Sequence, residues 1–386
     1  MDSRLLQSWW AAKQGLDGSL IGKSSAEILA KSGWARSVGG SSPYLSIFAR
    51  GGNSRESIDA ELTRLEIHEL PAARGCTYIV PASDFALALK AGAGFSSEQE
   101  MKVARKLGVT DKEIDKLSEA VVKALKKATL DPEEIRGATG GASRSLGEEG
   151  KKKGLTTTLP LALGQLQEIG EIRRVPVNGR LDQQRYKYTA WPKNPLAGIK
   201  MSAEEVNTEL ARKYFRWTGP ATLEEFRWFS GFGVKVSQAA IAGLDLVEAV
   251  PGRLIFRDEL AAFKKHSLSK TPYFRLSGSL DGMVLLRRDH KSLLDPGDIT
   301  REVSGLSDLP NHPIFDRGRI VGLWDFDPEA MKIVWASFIK KDAKLTKAVE
   351  EMETFVRDQL GDARSFSLDS PKSRLPRLAA LRAMAG

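Results

Sequence analysis

The apolar positions of this chain alternate between two spacings. Runs with apolar residues three and four apart, most of them opened by a capping signal, predict amphipathic helices near 4–16, 24–34, 43–50, 54–65, 83–92, 97–107, 110–128, 131–138, 158–168, 202–217, 222–229, 235–243 and 342–360. Ser24 with Glu27, Thr110 with Glu113, Ser202 with Glu205 and Thr222 with Glu225 have the capping-box spacing. In that motif a hydroxyl and a carboxylate reciprocally satisfy the free amides of a helix start. Asp131-Pro132-Glu133-Glu134 adds an acidic cap, a first-turn proline and carboxylates at the positive end of the dipole.

After three of these helix clusters the spacing drops to two. Paired β-prone runs occur at 67–70 and 76–80, at 170–175 and 185–189 around Asn178-Gly179, and at 246–250 and 254–256 around Pro251-Gly252. Each pair predicts a hairpin. Helices followed by a hairpin, three times over, form a divergent internal repeat, and that combination builds a winged helix. An unrelated α+β domain with hairpins is the alternative.

From about residue 271 the pattern changes again. The runs 274–288 and 319–338 look strand-like, with turns at Gly278, Asp281-Gly282, Asp316-Arg317-Gly318 and Asp327-Pro328-Glu329. A small barrel or curled sheet is expected, with the 342–360 helix laid on it through Leu345, Val349, Met352, Phe355 and Val356. The expected fold is thus α+β: winged-helix units at 1–95, 96–200 and 201–270, then a β-rich, barrel-like domain at 271–386. The tail from Ser365 carries Lys372, Arg374, Arg377 and Arg382, and either follows phosphates or is solvated.

Charge sharpens this picture. The 58 Lys and Arg residues exceed the 49 acidic ones, giving a net charge of +9, which favours a polyanionic partner and nucleic acid before membrane. One cysteine, Cys76, rules out an internal disulfide framework and fits a reducing compartment. No run approaches the ~18 apolar residues of a membrane span, and Met1-Asp2-Ser3-Arg4 does not open a secretory signal. The expected location is the cytoplasm.

The chemistry-bearing motifs are few. The segment from Gly18 to Ser24 resembles a phosphate loop but has one residue too few between its glycines and no preceding strand. His68, His266, His290 and His312 are isolated, with no metal-ligand spacing around Cys76. Residues 136–187 carry ten Lys and Arg against five acids, among them Arg144, Lys151, Lys152, Lys153, Arg173, Arg174, Arg185 and Lys187. Glycines make this stretch adaptable, so it either wraps phosphates or is a solvated linker. Tyr186, Tyr188 and Trp191 interleave with those cations, as side chains that stack on unpaired bases or as a hairpin packed on its own domain.

Three stretches resemble the tandem winged-helix alkylpurine and crosslink DNA glycosylases, the azinomycin-resistance class. The first runs from Leu45-Ser46-Ile47-Phe48-Ala49-Arg50 through Arg74-Gly75-Cys76-Thr77 to Val80-Pro81-Ala82. The second holds Tyr214-Phe215, Thr218-Gly219-Pro220-Ala221-Thr222, Phe226 and Trp228, and the third is 318–324. The resemblance implies hydrolysis of the bond between a damaged base and deoxyribose, on damaged or distorted double-stranded DNA, without metal or other cofactor. It also implies a glutamine, a small or aliphatic residue, then glutamine or aspartate, just before the helix that ends at Arg50.

Here those two polar positions fall on Gly39 and Ser41. Glycine offers no side chain, and a serine hydroxyl is a poor base without a partner. The catalytic candidates are therefore Ser41 and the titratable pair His68-Glu69 on the first hairpin. The DNA-contacting candidates are Ser42, Tyr44, Arg74, Arg144, Lys151, Lys152, Lys153, Arg173, Arg174, Arg185, Lys187 and Tyr188. Glutamine at both 39 and 41 is expected to raise activity, provided Gly39 does not need a positive φ. A non-catalytic winged-helix protein that binds DNA for regulation or shields lesions is the competing expectation.

Overall fold

A computed structural model of the chain describes all residues except Met1, Ser96, Gln183, Gln184, Pro296, 298–308, Pro310 and Gly386. All three expected hairpins form. Strands β1 (Ala35–Arg36), β2 (Ile67–Pro71) and β3 (Thr77–Pro81) make an antiparallel sheet in the order β1-β3-β2. Strands β4 (Ile172–Pro176) and β5 (Tyr186–Ala190) pair alone, as do β6 (Leu246–Val250) and β7 (Arg253–Phe256). Helices Ser42–Gly51 and Arg55–Thr63 precede the first hairpin, Pro132–Ala138 and Leu159–Glu168 the second, Leu223–Ser230 and Val234–Ala242 the third.

The caps behave as their chemistry requires. Full capping boxes close at Ser24, Asp131, Ser202 and Thr222. Thr110 still accepts from the Glu113 amide, but the Glu113 carboxylate turns to Arg144 instead of back to the cap. The segment from Gly18 to Ser24 is a turn leading into a capped helix.

The C-terminal part departs from expectation in three ways. First, strands β8 (Phe274–Leu276), β9 (His312–Asp316), β10 (Arg319–Asp327) and β11 (Lys332–Ser337) form an open antiparallel sheet in the order β11-β10-β9-β8, not a closed barrel. This sheet is buried on both faces, which explains its long apolar runs. Val321, Trp324 and Phe326 join a core with Val349, Met352 and Phe355, while Ile320 and Leu323 join another with Trp9, Trp10 and Leu381. Second, the run 274–288 is strand only at its start, and beyond the expected turn at Asp281-Gly282 it is helix instead of strand. Asp281 is fully buried, caps the helix Gly282–Leu285 and receives Arg50 at 2.7 and 2.9 Å, so the chain turns inward there. Third, the basic tail is a helix, Pro371–Ala385, docked on the sheet. Arg374 is fully buried beside Asp325 and Asp362, Arg377 reaches Asp369, and Arg382 pairs with Asp327.

Residues 101–172 supply a hydrophobic core of their own, from Met101 to Ile172. The remaining cores each combine distant stretches of chain. One of them joins Trp34, Val80 and Phe85 to Tyr214, Phe226 and Leu286. Among the described residues, no helix is long and apolar enough to cross a membrane.

Candidate functional site

Glu69 sits on β2, and the alternation of a strand sends it and its neighbour His68 to opposite faces. On one face the His68 ring is buried, edge-on to Trp191 with centroids 5.1 Å apart. Burial, reinforced by the positive charges of Arg173 and Arg174, pulls its pKa down to about 3, so the imidazole is neutral. On the other face the Glu69 carboxylate, 4% exposed, is held from three sides. Ser37 Oγ donates to Oε1, Tyr186 Oη donates to the same oxygen at 3.3 Å, and Arg174 Nε lies 2.9 Å from Oε2. The Arg174 guanidinium also stacks over the Tyr186 ring at 4.4 Å. Burial raises the Tyr186 pKa, keeping the phenol a donor.

Glu69 lines the inner wall of a cavity of about 660 Å³, bounded by Arg36, Gly39 and Thr77 on one side, Arg174 and Tyr186 on another, and the segment 366–369 on the third. A second cavity of about 530 Å³ adjoins it across Gly75, Thr77 and Arg174, and reaches Arg136, Gln167 and Tyr188. The first cavity's lining balances Arg36 and Arg174 against Glu69 and Asp369. Lys151, Lys152, Lys153 and Arg185 are exposed and do not line it.

The run ahead of the Ser42–Gly51 helix divides at Gly39. Val38 and Gly39 line the cavity, and Gly39 adopts a φ of 72°. Ser41 is buried behind it, donating both its amide (2.9 Å) and its hydroxyl (3.0 Å) to the Arg364 carbonyl. Gly40 passes so close to this strap that a Cβ there would sit 2.3 Å from the Ser365 carbonyl oxygen. Ser42 is buried against Gly278. Tyr44 is fully buried, donating to Asp59 and accepting from the Leu181 amide at 2.8 Å.

The other expected contact residues are scattered. Arg74 lies over Trp228 at 4.5 Å and donates to its carbonyl. Arg144 pairs with Glu113 at 2.7 Å, Lys187 with Glu134 at 3.4 Å, and Arg173 stacks on Trp191 at 5.7 Å. Tyr188 packs against the core of residues 101–172. Only Glu69, Gly39, Arg174 and Tyr186 converge, joined by Ser37, Arg36 and the 366–369 segment, which periodicity and charge had not singled out. Among the described residues, no three His, Cys, Asp or Glu side chains are placed to hold a metal ion.

Residues 36–355 match the sequence profile of the DNA glycosylases described as AlkZ-like. The chain belongs to the AlkZ-like DNA glycosylase family. Among solved structures, the DNA glycosylase AlkZ of Streptomyces sahachiroi has the same fold, with a TM-score of 0.69 and 20% identity over 95% of this chain and 98% of that one. No curated protein matches the sequence. The AlkZ-like family match starts in β1 and ends with the helix Ala343–Phe355, so it takes in the Glu69 cavity except for the wall at 366–369 and Ser373.

Proposed function

We propose that this AlkZ-like protein excises alkylated bases from damaged duplex DNA in the cytoplasm, with Glu69 as the group that assists the cationic sugar and orients water. The supporting observation is the buried Glu69 carboxylate, fixed by Ser37, Tyr186 and Arg174 at the inner wall of a 660 Å³ cavity. Cavities of this size suit small-molecule groups, and enzymes that act on a base draw the nucleotide out of the stack into such a space.

The chemistry needs little else. The bond from C1′ to the base nitrogen breaks and its electron pair leaves with the base, so a base made cationic by alkylation departs neutral. The sugar is left as an oxocarbenium ion, and an anionic oxygen nearby lowers that barrier. Water then attacks C1′ and gives up a proton to Glu69 or solvent. Three winged-helix units at 1–95, 96–200 and 201–270 would hold the duplex. The exposed Lys151–Lys153 run and Arg185 would meet phosphates.

One observation favours a non-catalytic reading. At the two positions where the family resemblance expects amide side chains, Gly39 has none and the Ser41 hydroxyl is committed to Arg364. Duplexes carrying 7-methylguanine or 3-methyladenine, scored for abasic sites, decide the matter. Wild type is expected to release the base, and Glu69→Gln to slow release about 100-fold, as loss of an acid–base group does, with DNA affinity retained. Binding without any release by wild type would establish the non-catalytic reading.

A further inference from the structure

Phe366 and Leu368 stand at the rim of the cavity that holds Glu69. Leu368 is 89% exposed and Phe366 43%. Single exposed apolar residues are ordinary, but these two occupy one tight turn and border one cavity. The turn is fixed on both sides. The Asp369 amide donates to the Phe366 carbonyl at 3.1 Å, and the Asp369 carboxylate accepts from the Phe366 amide and from Arg377, both at 3.2 Å. The Ser367 amide reaches back to the Val38 carbonyl at 3.3 Å, beside the glycine loop. Behind the turn, the buried Arg374 pins the helix Pro371–Ala385 to Asp325 and Asp362. This whole feature lies past residue 355, where the family match ends.

We propose that Leu368, with Phe366 beside it, is the wedge that enters the base stack of the duplex and fills the gap left when a nucleotide moves into the cavity. The proposal rests on the reading that the cavity receives a base. Drawing out a nucleotide leaves an apolar gap between its neighbours, and proteins that unstack DNA fill such gaps with Phe, Leu, Ile or Met. A wedge must sit where the nucleotide leaves the helix, at the cavity mouth, and must be exposed before DNA arrives. It must also be stiff, because a side chain on a slack loop would lose its ordering entropy on insertion. Leu368 meets all three requirements, and Lys372, exposed in the following helix, provides a cation close by in sequence for a flanking phosphate.

The experiment compares binding of two duplexes, one intact and one with a tetrahydrofuran abasic analogue, which offers a ready-made gap. Wild type is expected to prefer the gapped duplex by about tenfold, the scale of burying one leucine side chain. Leu368→Ala should lose that preference while binding the intact duplex with unchanged salt dependence, and Leu368→Phe should keep it. Glu69→Gln should keep the preference while base release slows about 100-fold, so the gap readout stands apart from the catalytic reading. If wild type does not discriminate, or Leu368→Ala discriminates as well as wild type, the wedge is wrong and the exposed pair serves some other contact, such as a protein partner.

Discussion

Arg174 Nε on β4 lies 2.9 Å from Glu69 Oε2 on β2, so one ion pair ties the second helix–hairpin repeat to the first. Glu69 is buried, while the Arg174 side chain keeps 23% of its surface. Replacing Arg174 with leucine strands a buried carboxylate, a loss worth about 3 kcal/mol. Leucine at 174 and glutamine at 69 together remove the stranded charge, so the double variant should recover part of that stability. Urea unfolding of the two single variants and the double variant gives the coupling directly.

His68 predicts a pH dependence. The unfolded chain takes a proton on this residue near pH 6.5, the folded one only at about 3. Between those values the unfolded state binds more protons, so stability rises with pH and is lost as pH falls from 6.5 toward 3. The gap is worth at most roughly 4–5 kcal/mol. His312, also buried with a lowered pKa, acts in the same direction. The diagnostic is therefore the difference between wild type and His68→Leu: the variant should lose less stability between pH 7 and pH 4.5. Equal losses would show that His68 is not held neutral in the fold.

Gly39 predicts that restoring the family's side chains will fail. Its φ of 72° lies in the left-handed region, where any L side chain costs roughly 1 kcal/mol. A glutamine at 41 would also have to displace the strap at Arg364. The double variant with glutamine at 39 and 41 is thus expected to be less stable than wild type and to release base no faster. Thermal unfolding and single-turnover base release are the measurements, and a gain in rate would show that the loop adapts.

Lys151, Lys152 and Lys153 are exposed in and just after the helix Gly147–Lys152. If all three meet phosphates, replacing them with alanine lowers the slope of log affinity against log salt by nearly 3, at about 0.9 per contact. Titration at four salt concentrations measures this. An unchanged slope would place the phosphate contacts elsewhere.

What the sequence made legible follows from the range of the interactions. The capping boxes at Ser24, Ser202 and Thr222 and the turns at Asn178-Gly179 and Pro251-Gly252 are local, so residue type and spacing suffice to find them. Tyr44 was expected at the DNA and is core instead, because its partners Asp59 and Leu181 come from other elements, Leu181 lying 137 residues away. Arg374 reads as a solvated cation until Asp325 and Asp362 are brought beneath it. The turn at Asp281-Gly282 was legible, but the helix that follows it and the burial of Asp281 were not, because its partner, Arg50, lies 231 residues back. Glu69 was within reach as a titratable residue on a hairpin, but its separation from His68 by strand alternation needed the register of β2.

The strap at Arg364 has a consequence for how the protein is made. Ser41 waits 323 residues for the carbonyl it binds. Chains emerge from the ribosome N-terminus first and fold by parts as they do. The glycine loop therefore spends most of synthesis without its cover, and the Glu69 cavity lacks its third wall until 366–369 has emerged. A nascent or prematurely terminated chain would carry the exposed Lys151–Lys153 run but only an unfinished cavity around Glu69.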